Sequence, residues 1–385
     1  MSPELKRARL GVTLAFVVNG FTAGTFVARI PDIKEILAIS DGVLGLSLLF
    51  VSIGVFAGLG PAGRNSARYG SRPVILFGTL AIVISLPIVG WLPNLGFAWF
   101  GLFIFGFALA TQDVSMNAHA VVIEQRAGRR LMSNFHAMFS VGTLFGGILG
   151  GIFSQLEITP LNQGFILAII YLLILYFIRE LILPASVDQH RITKNKGERS
   201  PMIFWIFGIF GLFAALSEGA AGDWGGVLAR DAFAATPFIS TLPYIVYTLA
   251  MVIGRLSGDF LAHKFGASQI IAAGGIISSV SLSLGLIVGG VPALMISWFL
   301  LGIGLSVVIP LMFSAAGTLA STKYQGVISP PQAIARVSGV SYFGFVIGPP
   351  VIGFLAELFE LRWALFFLVA LCFSLIFASR YAKAA

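Results

Sequence analysis

The sequence predicts an all-α polytopic membrane protein, with twelve transmembrane helices in two six-helix bundles. Three observations carry that expectation. Of the 385 residues, 57% are hydrophobic and only 10% charged, and mean hydropathy is +0.95, more apolar surface than a soluble chain of this length can hide. Apolar runs of about 20 residues, enough to cross the hydrocarbon core, recur along the chain. A single long polar stretch divides these runs six and six.

Taken in order, the spans fall near 8–30, 43–63, 73–92, 97–122, 132–155 and 162–182, then 202–222, 238–261, 268–289, 292–316, 333–357 and 361–380. Lys6, Arg7 and Arg9 precede the first as they would a signal peptide, yet the run continues from Leu10 to Ile30 with no small-residue cleavage pattern, so it reads as a mature spanning helix. Ser40 and Asp41 open the second span, Pro93 and Asn94 follow the third, Pro160 precedes the sixth and Pro292 opens the tenth. The polar stretch Pro184–Ser200 is expected to be a cytoplasmic linker (184–200) between an N-terminal bundle, 1–183, and a C-terminal bundle, 201–385.

The net charge of +8 would suggest nucleic acid in a soluble protein, but here Lys and Arg sit in short connections. With the N-terminus cytoplasmic, nineteen of the 24 basic residues fall on the cytoplasmic side and four (Arg29, Lys34, Arg230 and Arg362) on the other, with Arg255 left inside a span. That bias predicts both termini inside, in a bacterial inner (plasma) membrane, with the lipid bilayer as partner and no nucleic acid. Cys372 is the only cysteine and lies in the last apolar run, which excludes a disulfide framework and a thiol metal cluster. Gly58–Gly70 and Gly254–Gly266 align at an offset of 196 residues, with Arg68 over Lys264 and the closing glycines matched. Parallel duplication of a six-span unit explains this.

Gly63, Arg68, Gly70 and Arg72, between spans two and three, resemble the signature loop of the major facilitator superfamily, and the resemblance extends over the whole chain. It implies a secondary transporter that works by alternating access, with substrate bound at the midplane between the halves. Ala67 stands where the family's acid normally does, so the usual inter-helix salt bridge on the cytoplasmic side cannot form here as in relatives. Within the superfamily, Gln112–Asn117 and Gly254–Asp259 are similar to segments of the fucose permease-like branch. Gly142, Gly146, Gly147, Gly150 and Gly151 in span five resemble the antiporter motif of drug exporters, with Gly147 in place of its proline. Gly344, Gly348, Pro349, Pro350 and Gly353 repeat the theme in span eleven.

Ionisable residues inside spans are costly and mark function. Asp113 and Asn117, four apart, share a helical face, and lost hydration penalises the charged carboxylate, as a proton-loading site requires. The alternative is a structural acid bonded between helices or paired with Arg126 or Arg130. Glu218 is expected as a second proton-coupling site, or as already in water if span seven ends early, with Asp223 and Trp224 at the outer rim. Trp224 is a candidate stacking surface for a sugar ring or part of an interfacial belt. Arg255 and Asp259, four apart, are expected to pair as a gating clasp in place of the one lost at Ala67, with Arg68 and Arg72 as further gating or structural residues. Met251, Thr248 and Tyr244 continue the Arg255 stripe, and Tyr244 and Tyr247 are candidate substrate-binding residues. His136, Ser140 and Thr143 share a face of span five, and Asn19 with Phe16 and Phe26 a face of span one. His136, Ser140, Asn19 and Asn117 complete the candidate substrate set, with helix–helix hydrogen bonding as the other reading.

No phosphate-cradling Gly-Lys-Ser/Thr loop, zinc-ligand spacing or nucleophile elbow is present, so neither ATP-driven transport nor an enzyme, metal or cofactor is expected. The expectation is a monomeric proton-coupled carrier, sodium being the other coupling ion, for a small polar solute such as a sugar. A proton-antiport exporter of amphipathic compounds or drugs is the runner-up.

Overall fold

The computed structural model describes residues 1–128, 131–187, 201–325, 327–328 and 330–382, apart from the side chains of Ser133, Asp259, Pro330, Pro331 and Ala382. The linker charges beyond 187, together with Arg129, Arg130 and Lys383, lie outside the described residues. By contacts the chain divides into two compact units: Met1–Ile39 with Ser47–Lys194, and Ser40–Leu46 with Asn195–Ala385. Every regular element described is helical, and eleven helical stretches among the described residues, one of them Val291–Ser321 made of two helices in succession, are long and apolar enough to cross a membrane, with one shorter apolar helix at the end. In hydrocarbon a helix answers its own backbone N–H and C=O groups, so nothing else here could span.

The first unit holds α1 (Pro3–Leu37), most of α2 (Asp41–Tyr69), α3 (Ser71–Gly90), α4 (Leu95–Ala127), α5 (Met132–Gln155) and α6 (Pro160–Leu181). Side-chain caps start four of them: Ser2 Oγ accepts from Leu5 N at 3.3 Å, Ser40 Oγ from Val43 N at 3.4 Å, Asn94 Oδ1 from Phe97 N at 2.9 Å and Thr159 Oγ1 from Asn162 N at 3.2 Å. Helix α1 continues through Pro31, so Arg29 and Lys34, expected in a connection, are helical, and Arg29 is buried. The signature segment is not an open loop either. Gly63 and Arg68 are in the last turns of α2, and Gly70 alone, at φ 84°, joins α2 to α3. A Cβ on Gly70 would strike the Ala185 carbonyl, so the position needs glycine for space as well as for φ.

The second unit holds α7 (Met202–Phe233), α8 (Pro237–Phe265), α9 (Ala267–Val288), α10 (Val291–Leu305), α11 (Val308–Ser321), α12 (Pro330–Ala364) and α13 (Phe366–Ala382). The single tenth span expected over 292–316 is two helices, interrupted at Ser306–Val307. Pro310 is the cause: it has no N–H for the Ser306 carbonyl four residues back, and its ring crowds that carbonyl. Glu360, at φ 62° and ψ 148°, separates the eleventh span from the last at the place the sequence predicts, and a turn at Leu365 interrupts the new helical run before α13.

Within the first unit α1 packs along α5, and α3 along α4 and α6. Within the second, α7 packs along α12, and α9 along α10 and α13. The two patterns correspond helix for helix, as duplication predicts. Gly266, the counterpart of Gly70, also opens its helix at φ 87°, the same left-handed conformation. The α1–α5 seam is a backbone-to-backbone contact, in which a Cβ on Gly20 would meet the Phe139 carbonyl and one on Gly142 the Val17 carbonyl. Gly142→Val is therefore expected to destabilise the first unit by at least about 2 kcal/mol, seen as a lowered melting temperature. Gly339→Ala, where a Cβ meets nothing within 4 Å, should leave the melting temperature unchanged.

Candidate functional site

Asp113 lies about 3 Å past the midpoint of α4 at 1.5 Å per residue, deep within a spanning helix. It is half-buried, and its Oδ1 accepts from Asn117 Nδ2 at 3.1 Å, while the same amide donates to the Asp113 carbonyl at 2.9 Å. The shared face read from the four-residue spacing is present. Among the described residues no cation pairs with Asp113, and Arg126, one of the two partners considered, is exposed.

Asn19 of α1 takes the second of its two expected roles, a hydrogen bond between helices. Its Nδ2 donates to Leu109 O at 3.1 Å and to Gln112 Oε1 at 3.0 Å, and Gln112 Nε2 donates in turn to Thr79 Oγ1 at 2.8 Å. Both amide protons of Asn19 are thus used in tying α1 to α4 and α3, and neither remains to bind a solute. In α5, Ser140 Oγ donates to the His136 carbonyl at 3.1 Å and Thr143 Oγ1 to Phe139 O at 2.9 Å, so these hydroxyls keep only acceptor capacity. His136 is exposed, with its ring edge on to Phe16 at 5.3 Å.

The basic residues of the signature segment differ from one another. Arg68 is exposed, with its guanidinium over the neighbouring Tyr69 ring at 5.0 Å. Arg72 donates to Arg179 O at 2.9 Å, answering one of the bare carbonyls that end α6. It thereby fastens α3 to α6 inside one unit. Nearby, His119 is fully buried, its Nε2 accepting from Leu183 N at 3.1 Å and its Nδ1 2.6 Å from Ser71 Oγ. An acceptor Nε2 carries no proton, so Nδ1 does, and the ring is neutral.

In the second unit Glu218 sits at the midpoint of α7 and meets Arg255 of α8, Oε1 to Nη2 at 3.2 Å. Arg255, expected to pair with Asp259 along its own helix, reaches across to a neighbouring helix. The Asp259 side chain lies outside the described residues. Tyr247 lies in the field of both members of the pair, buried, with its hydroxyl lacking a hydrogen-bond partner. Tyr244, Thr248 and Met251 are buried on the same stripe of α8.

Helix α7 does not stop near 222 but runs to Phe233, which moves Asp223 and Trp224 from the expected outer rim into the span. Trp224 is fully buried, with no hydrogen-bond partner for Nε1, so neither a solvent-facing sugar platform nor an interfacial belt describes it. Trp298 of α10 donates its indole N–H to Ala221 O at 2.8 Å just below. Asp223 is half-buried, about 8 Å beyond the helix midpoint, beside Tyr244.

One ion pair was not read from the sequence, where Arg29 counted only among the outer charges. Arg29 Nε meets Asp32 Oδ2 at 2.7 Å in α1, with Arg29 Nη2 donating to Ile158 O at 2.6 Å and Ser154 Oγ to Asp32 Oδ1 at 2.8 Å. The three-residue spacing was visible, but a span drawn to end at residue 30 put both charges in a connection. Among the described residues no group of three or more His, Cys, Asp or Glu is placed to hold a metal.

Long apolar helices in two repeated units, with a few carboxylates at mid-depth, define an integral membrane protein of the transporter class. The chain belongs to the major facilitator superfamily, whose model matches residues 12–218 and 206–383. An uncharacterised MFS-type transporter of Yersinia pestis is 30% identical over 358 residues, 92% of this chain and 91% of the relative. The class H tetracycline resistance protein of Pasteurella multocida is 26% identical over 196 residues, 48% of each chain. The solved nucleoside transporter NupG shares the fold at a TM-score of 0.74 with 16% identity, covering 100% of both chains.

The two ion pairs should respond differently to truncation. Arg29→Ala is expected to cost about 3–5 kcal/mol because it strands a buried Asp32, and an Arg29→Met/Asp32→Leu double variant should recover most of it. Arg255→Ala, at a pair whose arginine is 46% exposed, should cost less than Arg29→Ala because the acid it leaves is not fully buried. Denaturation of the purified variants in one detergent measures both.

Proposed function

We propose that the protein is a proton-coupled secondary transporter that moves a small polar solute, such as a sugar or related metabolite, inward by alternating access, with both termini cytoplasmic in a bacterial inner membrane. The observation that carries this reading is Asp113: a carboxylate near the middle of a spanning helix, held by an amide of its own helix and matched by no described cation. Such a group is stable in low dielectric when protonated and in a wet chamber when charged, and a carrier needs that alternation. Asn117 orients the carboxylate. Tyr247 and Trp224 supply buried polar atoms without protein partners, and Glu218 with Arg255 supplies a pair that a solute's hydroxyls can enter.

A second reading, export of amphipathic compounds against entering protons, is favoured by one observation. The α1–α5 seam is closed by glycines of the segment that resembles the exporters' antiporter motif, and the tetracycline resistance relative matches half of the chain. Under that reading Asp113 keeps its role and the flux reverses.

A melting-temperature screen of sugars, nucleosides, amino acids and amphipathic drugs should find a solute that stabilises the purified protein. In proteoliposomes that solute should draw protons in with it, and Asp113→Asn should lose proton-driven accumulation by at least about tenfold while retaining solute exchange. Outward solute movement against entering protons would favour the exporter. An Asp113→Asn variant that still accumulates solute under a proton gradient would remove the basis of the coupling assignment.

A further inference from the structure

We propose that Asp223, and not Glu218, is the second proton-loading carboxylate, and that Glu218 is committed to Arg255. This rests on the proton-coupled reading above and deepens it by dividing the acids of α7 between two tasks.

The argument is one of charge matching. Glu218 and Asp223 occupy the same spanning helix, both half-buried. Glu218 has a guanidinium at 3.2 Å, so its charged form already has a counter-charge. Asp223 has neither a hydrogen bond nor an ion pair among the described residues.

The groups around it do not supply a counter-charge. On its own helix, Arg230 lies two turns on and donates Nε to Ser240 Oγ at 3.2 Å. From α8, Tyr244 faces Asp223 and is neutral, while Arg255 is held by Glu218. Helices α10 and α11 carry no titratable side chain. From α12, Arg336 lies over the Trp205 ring, Arg362 donates to Leu286 O and Ile287 O, and Glu357 accepts from Gly42 N. Tyr342 of α12 lies among Phe313 and Phe345, and Glu360 is exposed at the break that ends α12. From α13, Cys372 donates to Ser217 Oγ at 3.6 Å, and Arg380 and Tyr381 close the far end of that helix.

A carboxylate so placed can lower the cost of its charge in two ways, by meeting water or by taking a proton. The step is simple in its balance: a carboxylate oxygen takes a proton from water and later returns it, with no other bond changed.

The test needs no identified solute. Infrared difference spectra of the protein in liposomes, recorded between about pH 5 and 8, should contain a protonated-carboxyl C=O band that titrates. Asp223→Asn is expected to remove one component of that band and Asp113→Asn another, with Glu218→Gln leaving both. Asp223→Glu, which keeps the acid, should retain the component with a shifted midpoint, and its melting temperature checks that the helix still folds. Loss of a component in Glu218→Gln with none lost in Asp223→Asn overturns the proposal while leaving coupling through Asp113 standing. A wild-type protein with no titrating carboxyl band would overturn the coupled reading itself.

Discussion

A charge moved out of water must find a partner, a proton or a way back to water, and most of the polar architecture of this protein follows from that constraint. Arg29 and Asp32 meet it by pairing at 2.7 Å, with Ser154 and the Ile158 carbonyl completing the set. Arg72 and Arg362 meet it at helix ends, where carbonyls without intrahelical partners accept their protons. Glu218 and Arg255 meet it across two helices. His119 meets it by remaining neutral between Ser71 and Leu183. Asp113 and Asp223 are left, one in each unit, without a described counter-charge, and they are the acids to which the proposed coupling assigns a changing charge.

The backbone obeys a parallel constraint. Helices in lipid gain little from hiding apolar side chains from one another, so close approach has to supply the attraction, and glycine permits it. The α1–α5 seam uses Gly20 and Gly142, and the α7–α12 seam uses Gly344, whose missing Cβ leaves room for the Leu212 carbonyl. Each seam joins the first and fifth spans of its half. The same solution in both units, with the same left-handed glycine after the second span, is what a duplicated six-span ancestor would leave behind.

The spans were legible because each must supply about 20 apolar residues in a row, a demand that few other structures make. Their ends were not. The seventh span is expected to end near Gly222, but the helix continues because Trp224, Val227 and Leu228 have a core to enter. That difference moved Asp223 from the rim into the span. Arg255 shows a second limit: periodicity reveals neighbours along one helix, here Asp259, but says nothing about a helix lying alongside, here α7. Asn19 shows a third, since sequence can place an amide at mid-depth without revealing which acceptors take its protons. The interruption at Ser306 was within reach, four residues before Pro310, and was passed over because the run stays apolar across it.

That interruption has a mechanical consequence. Above it α10 lies against α8 and α9, and below it α11 lies against α12 and α7, so the span changes neighbours where its hydrogen-bond ladder is open. A continuous rod would transmit a tilt from one end to the other. The missing hydrogen bond at Ser306–Val307 makes the joint softer than a continuous helix, and the proline provides that compliance without one polar side chain.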